Sequence, residues 1–211
     1  FTPTNRFVKA NYTTFNYSFQ LNPRAVLNTS DIAGFQKFIA RINYKSSLQV
    51  SKKSVAKGNT EFNPFKYELA DTALLTLNTV LLNTFSFNRF SSKWGFDFSN
   101  LRNRAKILLT YGYESRMLND WTIKARWNLS RSITFDVSGK KGLNGLYTPS
   151  FANRNYELDI YTLEPKLVFI QGTKFRLSTS YKFDNKKNNP LYGGEKSTSN
   201  SINVETKYNV L

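Results

Sequence analysis

The feature that most constrains this chain is an alternation of period two, held over stretches too long and too regular for a helix. From Asp120 to Ser130 the odd positions carry Trp121, Ile123, Ala125, Trp127 and Leu129, and the even ones Thr122, Lys124, Arg126 and Asn128. From Lys174 to Phe183, Phe175, Leu177, Thr179, Tyr181 and Phe183 alternate with Arg176, Ser178, Ser180 and Lys182. Near the end, Ile202, Val204, Thr206, Tyr208 and Val210 alternate with Asn203, Glu205, Lys207 and Asn209. Successive side chains of a strand point to opposite faces, so each stretch is a strand with one apolar and one polar face.

Phe15, Tyr17, Phe19 and Leu21 extend the pattern, as do Ala40, Ile42, Tyr44, Leu48 and Val50, the trio Trp94, Phe96 and Phe98, and the trio Ile133, Phe135 and Val137. Residues 74–87 are apolar on both faces for part of their length. Between 156 and 169 the apolar parity changes, from Tyr156, Leu158 and Ile160 to Leu163, Leu167 and Phe169. Proline supplies no ladder hydrogen bond, so a bulge near Pro165 is predicted there.

Nine strands follow, over residues 8–21, 37–53, 73–88, 93–102, 118–130, 133–141, 155–170, 174–184 and 198–211. The connections at 89–92, 131–132 and 171–173 are short, whereas 54–72, 103–117, 142–154 and 185–197 are long and polar. Their strict alternation places the short turns at one end of the sheet and the long loops at the other. The exception is 22–36, an excursion on the short-turn side, where Ser30 as N-cap predicts a short helix weakened by Gly34. No shift in composition marks a second domain, so 1–211 reads as a single barrel domain or barrel segment.

Alternation alone does not decide which face meets water, because soluble sandwiches and barrels alternate too. The apolar sets, however, run about nine to eleven residues, the length with which a tilted strand crosses a bilayer. They carry aromatic residues toward their ends, as outer-membrane barrels do at both interfaces, and the loop asymmetry is that of the same barrels. The fold expected is therefore all-β, an antiparallel up-and-down transmembrane β-barrel, with Trp94, Trp121, Trp127, Phe175, Leu177, Phe183 and Tyr208 facing lipid. Lys45, Lys124, Arg126, Lys140, Arg176, Lys182 and Lys207 would face a wet lumen, since a dry core could not hold so many charges without partners. Asp136, Glu157, Asp159 and Glu205 are the acids expected to pair with them. Nine is an odd number and bacterial single-chain barrels close with even ones, which reads as a segment of a larger barrel.

Composition narrows the chemistry. With no His and no Cys, triads built on histidine, thiolate or imidazole metal sites and disulfides are excluded within the chain. No run of about 18 apolar residues provides a transmembrane helix. Phe1-Thr2-Pro3 does not begin a charged region leading into an apolar stretch, so any secretory leader is expected to be absent from this sequence. Glu157 and Asp159 are spaced to share a strand face, as glycosidase carboxylates would, but in a Lys-rich chain such acids serve as ion-pair partners. Neither an enzymatic role nor a cofactor is expected.

The net charge of +16 raises an alternative, a soluble β-barrel or sandwich module binding an anionic polymer such as polysaccharide or nucleic acid. A single-strand nucleic-acid platform needs aromatics and cations on one face. Here strand parity puts most of them on opposite faces. Lys52-Lys53 and Lys186-Lys187-Asn188-Asn189 read as solvated loop tips, and the glycosylation-type motifs at Asn16 and Asn128 fall inside strands.

Several short stretches also carry a resemblance. Arg102-Asn103-Arg104, Gly112-Tyr113-Glu114-Ser115-Arg116, Arg126-Trp127-Asn128-Leu129-Ser130-Arg131, Asn153-Arg154-Asn155-Tyr156-Glu157-Leu158, Leu163-Glu164-Pro165-Lys166-Leu167 and Ser180-Tyr181-Lys182-Phe183 are similar in style, over about residues 70–211, to the C-terminal barrel of large outer-membrane proteins of Bacteroidota. That resemblance implies surface-exposed loops and a membrane-anchored, non-enzymatic role. The barrel reading itself makes the chain a porin-like scaffold or transport conduit of a bacterial outer membrane, with the bilayer as partner. Its lumen-facing cations would attract anionic solutes or the phosphates of lipopolysaccharide, and its odd strand count points to further barrel strands or partner outer-membrane proteins.

Overall fold

The computed structural model describes residues 10–25, 34–55, 74–89 and 91–208. They form one antiparallel sheet whose strands lie in sequence order. The strands are β1 (Ala10–Leu21), β2 (Ile42–Val55), β3 (Leu74–Phe87), β4 (Trp94–Leu109), β5 (Gly112–Asn128), β6 (Ile133–Tyr147), β7 (Tyr156–Gln171), β8 (Phe175–Asn188) and β9 (Lys196–Tyr208). The described helices are short: α1 (Phe35–Ile39) and three 3-10 turns. The sheet is not closed, and β1 and β9 are its two edges.

All nine predicted strands are present, and several are longer than the alternation indicated, but the second starts at Ile42 rather than at 37, because Phe35–Ile39 is helical. β4 and β5 run to Leu109 and from Gly112, meeting in a turn at 110–111 where the sequence pointed to a long loop over 103–117. The reason lies in the side chains. Beyond Asn100 both faces of this hairpin carry charged residues, so hydrophobic alternation fades while backbone pairing continues. Gly112 suits the turn because its φ is +120°, a conformation that L side chains rarely adopt. The connections at 148–155 and 189–195 are shortened in the same way.

The expected bulge near Pro165 is absent. Val137 pairs with Pro165 in an uninterrupted β6–β7 register. On the other side, Leu163–Phe183 and Lys166–Ser180 keep one offset, with only Glu164 and Pro165 missing from the ladder. The parity change in β7 is thus an exchange of which face is apolar, not a slip of the strand. A register shift does occur elsewhere, between Lys53 and Ser54 against β3.

Helix α1 begins after Gly34, which occupies the N-cap position with φ +57°. The predicted cap Ser30 and most of 54–72 lie outside the described residues. α1 leaves residues 35–38 exposed and Ile39 half-buried, and the Phe38 ring lies 5.3 Å from that of Phe87. No second layer covers the sheet among the described residues. The buried hydrophobics are Val50, Leu74, Leu77, Leu146 and Val168, of which the first three cluster with Leu48. A domain built around a dry core would bury far more of its aromatic residues.

Candidate functional site

Residues paired across a ladder share a face, so the register sorts every side chain. One row crosses all nine strands as Gln20, Lys45, Thr84, Ser99, Thr122, Lys140, Thr162, Asp184 and Ser199, polar at each step. The neighbouring row on the opposite face is Leu21, Tyr44, Phe85, Phe98, Ile123, Gly139, Leu163, Phe183 and Asn200. Lys45, Lys124, Arg126, Lys140, Arg176, Lys182 and Lys207 all fall on the first face. Trp94, Trp121, Trp127, Phe175, Leu177, Phe183 and Tyr208 all fall on the second.

The apolar face is a belt that crosses the sheet obliquely. It covers residues 15–21 on β1, 42–50 on β2, 121–127 on β5, 161–169 on β7, 175–183 on β8 and 202–208 on β9. Traced through the register, the belt moves toward the 129–132 end by about one residue per strand. With about 3.4 Å per residue and about 4.8 Å between strands, a level belt then requires a strand tilt of roughly 35°. Nine residues at that tilt stand about 22 Å tall, close to the roughly 25 Å apolar band of outer-membrane barrels. Trp127 is 59% exposed, Leu163 49% and Ile202 73%. Rings group at the belt's two margins: Phe87 with Trp94 at 5.5 Å, and Phe98 stacked on Trp121 at 5.4 Å.

The polar face is the more enclosed of the two, holding Ser86, Asp120, Ser178 and Asn188 buried. Lys140 Nζ lies 2.8 Å from Asp120 Oδ2, and Lys182 Nζ 2.8 Å from Asp184 Oδ2. Thr162 Oγ1 donates to Asp184 at 2.6 Å, and Lys207 meets Glu205 at 3.6 Å. A cleft of about 440 Å³ is lined by Asp97, Lys124, Arg126, Asp136, Glu164 and Lys166. Signs alternate across it, with Asp97 opposite Lys124 and Asp136 between Arg126 and Lys166. Such cross-strand order favours a hydrated, internally balanced wall. Arg126 also donates to the carbonyls of Arg89 and Ser91, fastening the turn before β4. Of the acids expected to pair with these cations, Asp136 and Glu205 share their face. Glu157 and Asp159 do not: the register puts them on the opposite face with Leu163.

Gly142 is required by its neighbour. A Cβ there would lie 2.6 Å from Asp120 Oδ1, whereas one at Gly139 would meet nothing within 4 Å. Gly142→Ala should therefore lower stability by about 1–3 kcal/mol, the usual cost of overpacking, with Gly139→Ala near neutral. Urea titration of the folded chain compares the two, and equal midpoints would refute the contact.

Two ordered clusters cap the opposite end of the sheet. Glu114, 2% exposed, is held by Arg116 at 2.7 Å and Arg154 at 3.7 Å. Arg154 donates to the Tyr111 hydroxyl at 2.9 Å, Ser150 Oγ donates to the Tyr111 carbonyl, and the Tyr111 ring meets Phe151 edge-on at 4.9 Å. In the second cluster, Asn188 Nδ2 donates to Tyr192 O at 2.8 Å and Glu195 Oε2 at 2.9 Å. The bond from Asn188 holds the Glu195 carboxyl below its ordinary range. Asn189 Nδ2 donates to Glu157 Oε1 at 2.9 Å, which gives that carboxylate a structural partner. Lys186 and Lys187 are exposed, but Asn188 and Asn189 are built into the loop's frame rather than being its tip. Among the described residues no group of three or more acidic side chains is placed to hold a metal ion.

No family model, curated protein or solved structure matches this chain.

Proposed function

We propose that this chain is a contiguous part of the wall of a transmembrane β-barrel in a bacterial outer membrane, where it serves as a non-enzymatic scaffold or conduit. The observation that carries this reading is the oblique belt. An apolar surface of bilayer height, exposed rather than packed against a second layer, matches what lipid covers. Its slant matches the strand tilt of a barrel. Hydrocarbon offers no hydrogen bonds to the backbone, which is why a spanning sheet must pair every strand. The opposite face then lines a wet lumen, and its balanced charges hydrate that lumen.

Orientation follows from how far the sheet outruns the belt. At the 129–132 end the strands stop at the belt's margin, whereas β4, β5, β6 and β7 continue well past it at the other. Short turns belong to the periplasmic side and extended structure to the cell surface. The resemblance to the large barrels of Bacteroidota supports the same placement.

The complete barrel that carries this segment should enter vesicles of neutral phosphatidylcholine, float with them, resist alkaline extraction and give a β-type circular dichroism spectrum there. A folded, monodisperse chain in detergent-free buffer would instead favour the soluble, polymer-binding module.

A further inference from the structure

Immediately beyond the belt, on the same outward face, the side chains turn from aromatic to cationic. Arg102 and Arg104 follow Phe98 on β4, and Lys141 stands on β6 directly opposite Trp121. All three are exposed. The Arg102 guanidinium lies 5.8 Å from the centroid of Trp121, and Lys141 Nζ lies 5.5 Å from that of Tyr161. The cations are thus threaded among the aromatics of the belt's upper margin. Strands β4 and β6 flank β5 and are separated by about 10 Å, twice the interstrand spacing.

Among the described residues these cations have no acid of their own. None of the three forms an ion pair with another described residue. Among the described strand residues the acids on this face, Glu157 and Asp159, are on β7. Glu157 accepts from Asn189, and Asp159 stands opposite Lys187. On the polar face, by contrast, cations and acids alternate along the register. The charge on the outward face is therefore left unbalanced by the described residues, while the polar face is balanced within itself.

We infer that Arg102, Arg104 and Lys141 form a docking surface for the phosphate of a membrane lipid headgroup, with the lipid's acyl chains lying along Phe98, Trp121 and the belt below. Continuity with the belt selects the occupant. A soluble polyanion would satisfy the cations but leave the adjoining rings exposed, whereas a phosphate-bearing amphiphile covers both. Arginine suits the role, because its planar fork bonds two phosphate oxygens at once. The inference rests on the membrane reading given above and adds a site and a ligand class to it.

The test uses the full chain and two vesicle compositions, phosphatidylcholine alone and phosphatidylcholine with a tenth of phosphatidic acid as the phosphomonoester probe. At about one kcal/mol per basic residue near an anionic surface, the probe should tighten association ten- to hundredfold. The variant Arg102→Gln/Arg104→Gln/Lys141→Gln should lose most of that gain while still entering neutral vesicles. Lys45→Gln/Lys53→Gln/Arg176→Gln, which removes equal charge from the other face, should keep it. If both triple variants lose the gain equally, or the unmodified chain shows none, the docking surface is refuted and the membrane reading stands. If the chain ignores neutral vesicles as well, both fall together.

Discussion

Arginine at Leu163 should cost about 2–4 kcal/mol of folding free energy in a bilayer, the penalty for a basic residue near the midplane of a barrel's lipid face. Leu163 is 49% exposed and sits near the middle of the belt on β7, opposite Phe183. Leu177→Arg, nearer the belt margin at the 129–132 end on β8, should cost less on its own. The two sites are many residues apart along the sheet, so their effects should add. Together they should lower the folding equilibrium constant in vesicles by about two orders of magnitude or more. The comparison on the polar face belongs at Ser201, which is exposed on β9. Ser178 looks equally harmless in the alternation, yet it is 6% exposed between Val168 and Glu205, where an arginine would be crowded. Urea titration of vesicle-folded protein measures the effect. If Leu163→Arg and Ser201→Arg are equally tolerated, lipid does not cover the aromatic face.

The sheet was legible because its faces differ where the belt lies. Trp121, Ile123, Ala125 and Trp127 against Thr122, Lys124 and Arg126 leave no doubt about period or face. Above the belt that contrast disappears. Arg102, Arg104 and Lys106 share a face with Phe98, so a reader of polarity sees a loop where the backbone continues as strand. The same physics explains Pro165. Apolar residues change sides in β7 after Ile160, where the strand leaves the belt, and that change imitates a bulge. The capping clusters were hidden for another reason. Glu114 with Arg154, and Glu157 with Asn189, join residues more than thirty apart, and only the register brings them together. No local pattern encodes such contacts.

The two sheet edges provide the sharpest remaining test. With nine antiparallel strands in sequence order, β1 and β9 run in the same direction and cannot pair with each other antiparallel. Closure in the usual even-numbered form requires an odd number of further strands. β9 is suited to having a neighbour: it is exposed along its length, and between Lys196 and Lys207 it carries neither proline nor lysine to discourage pairing. Adjacent residues of such a strand send their N–H groups to opposite sides, one toward β8 and the other toward the open edge. Asn203→Pro and Val204→Pro therefore probe the two sides separately. In a bilayer each lost bond strands a partner carbonyl at a cost of several kcal/mol. Both prolines should thus abolish vesicle-resistant folding of the complete barrel in urea. If only one of the pair is harmful, β9 is a true edge, and a sheet with a true edge does not span a membrane.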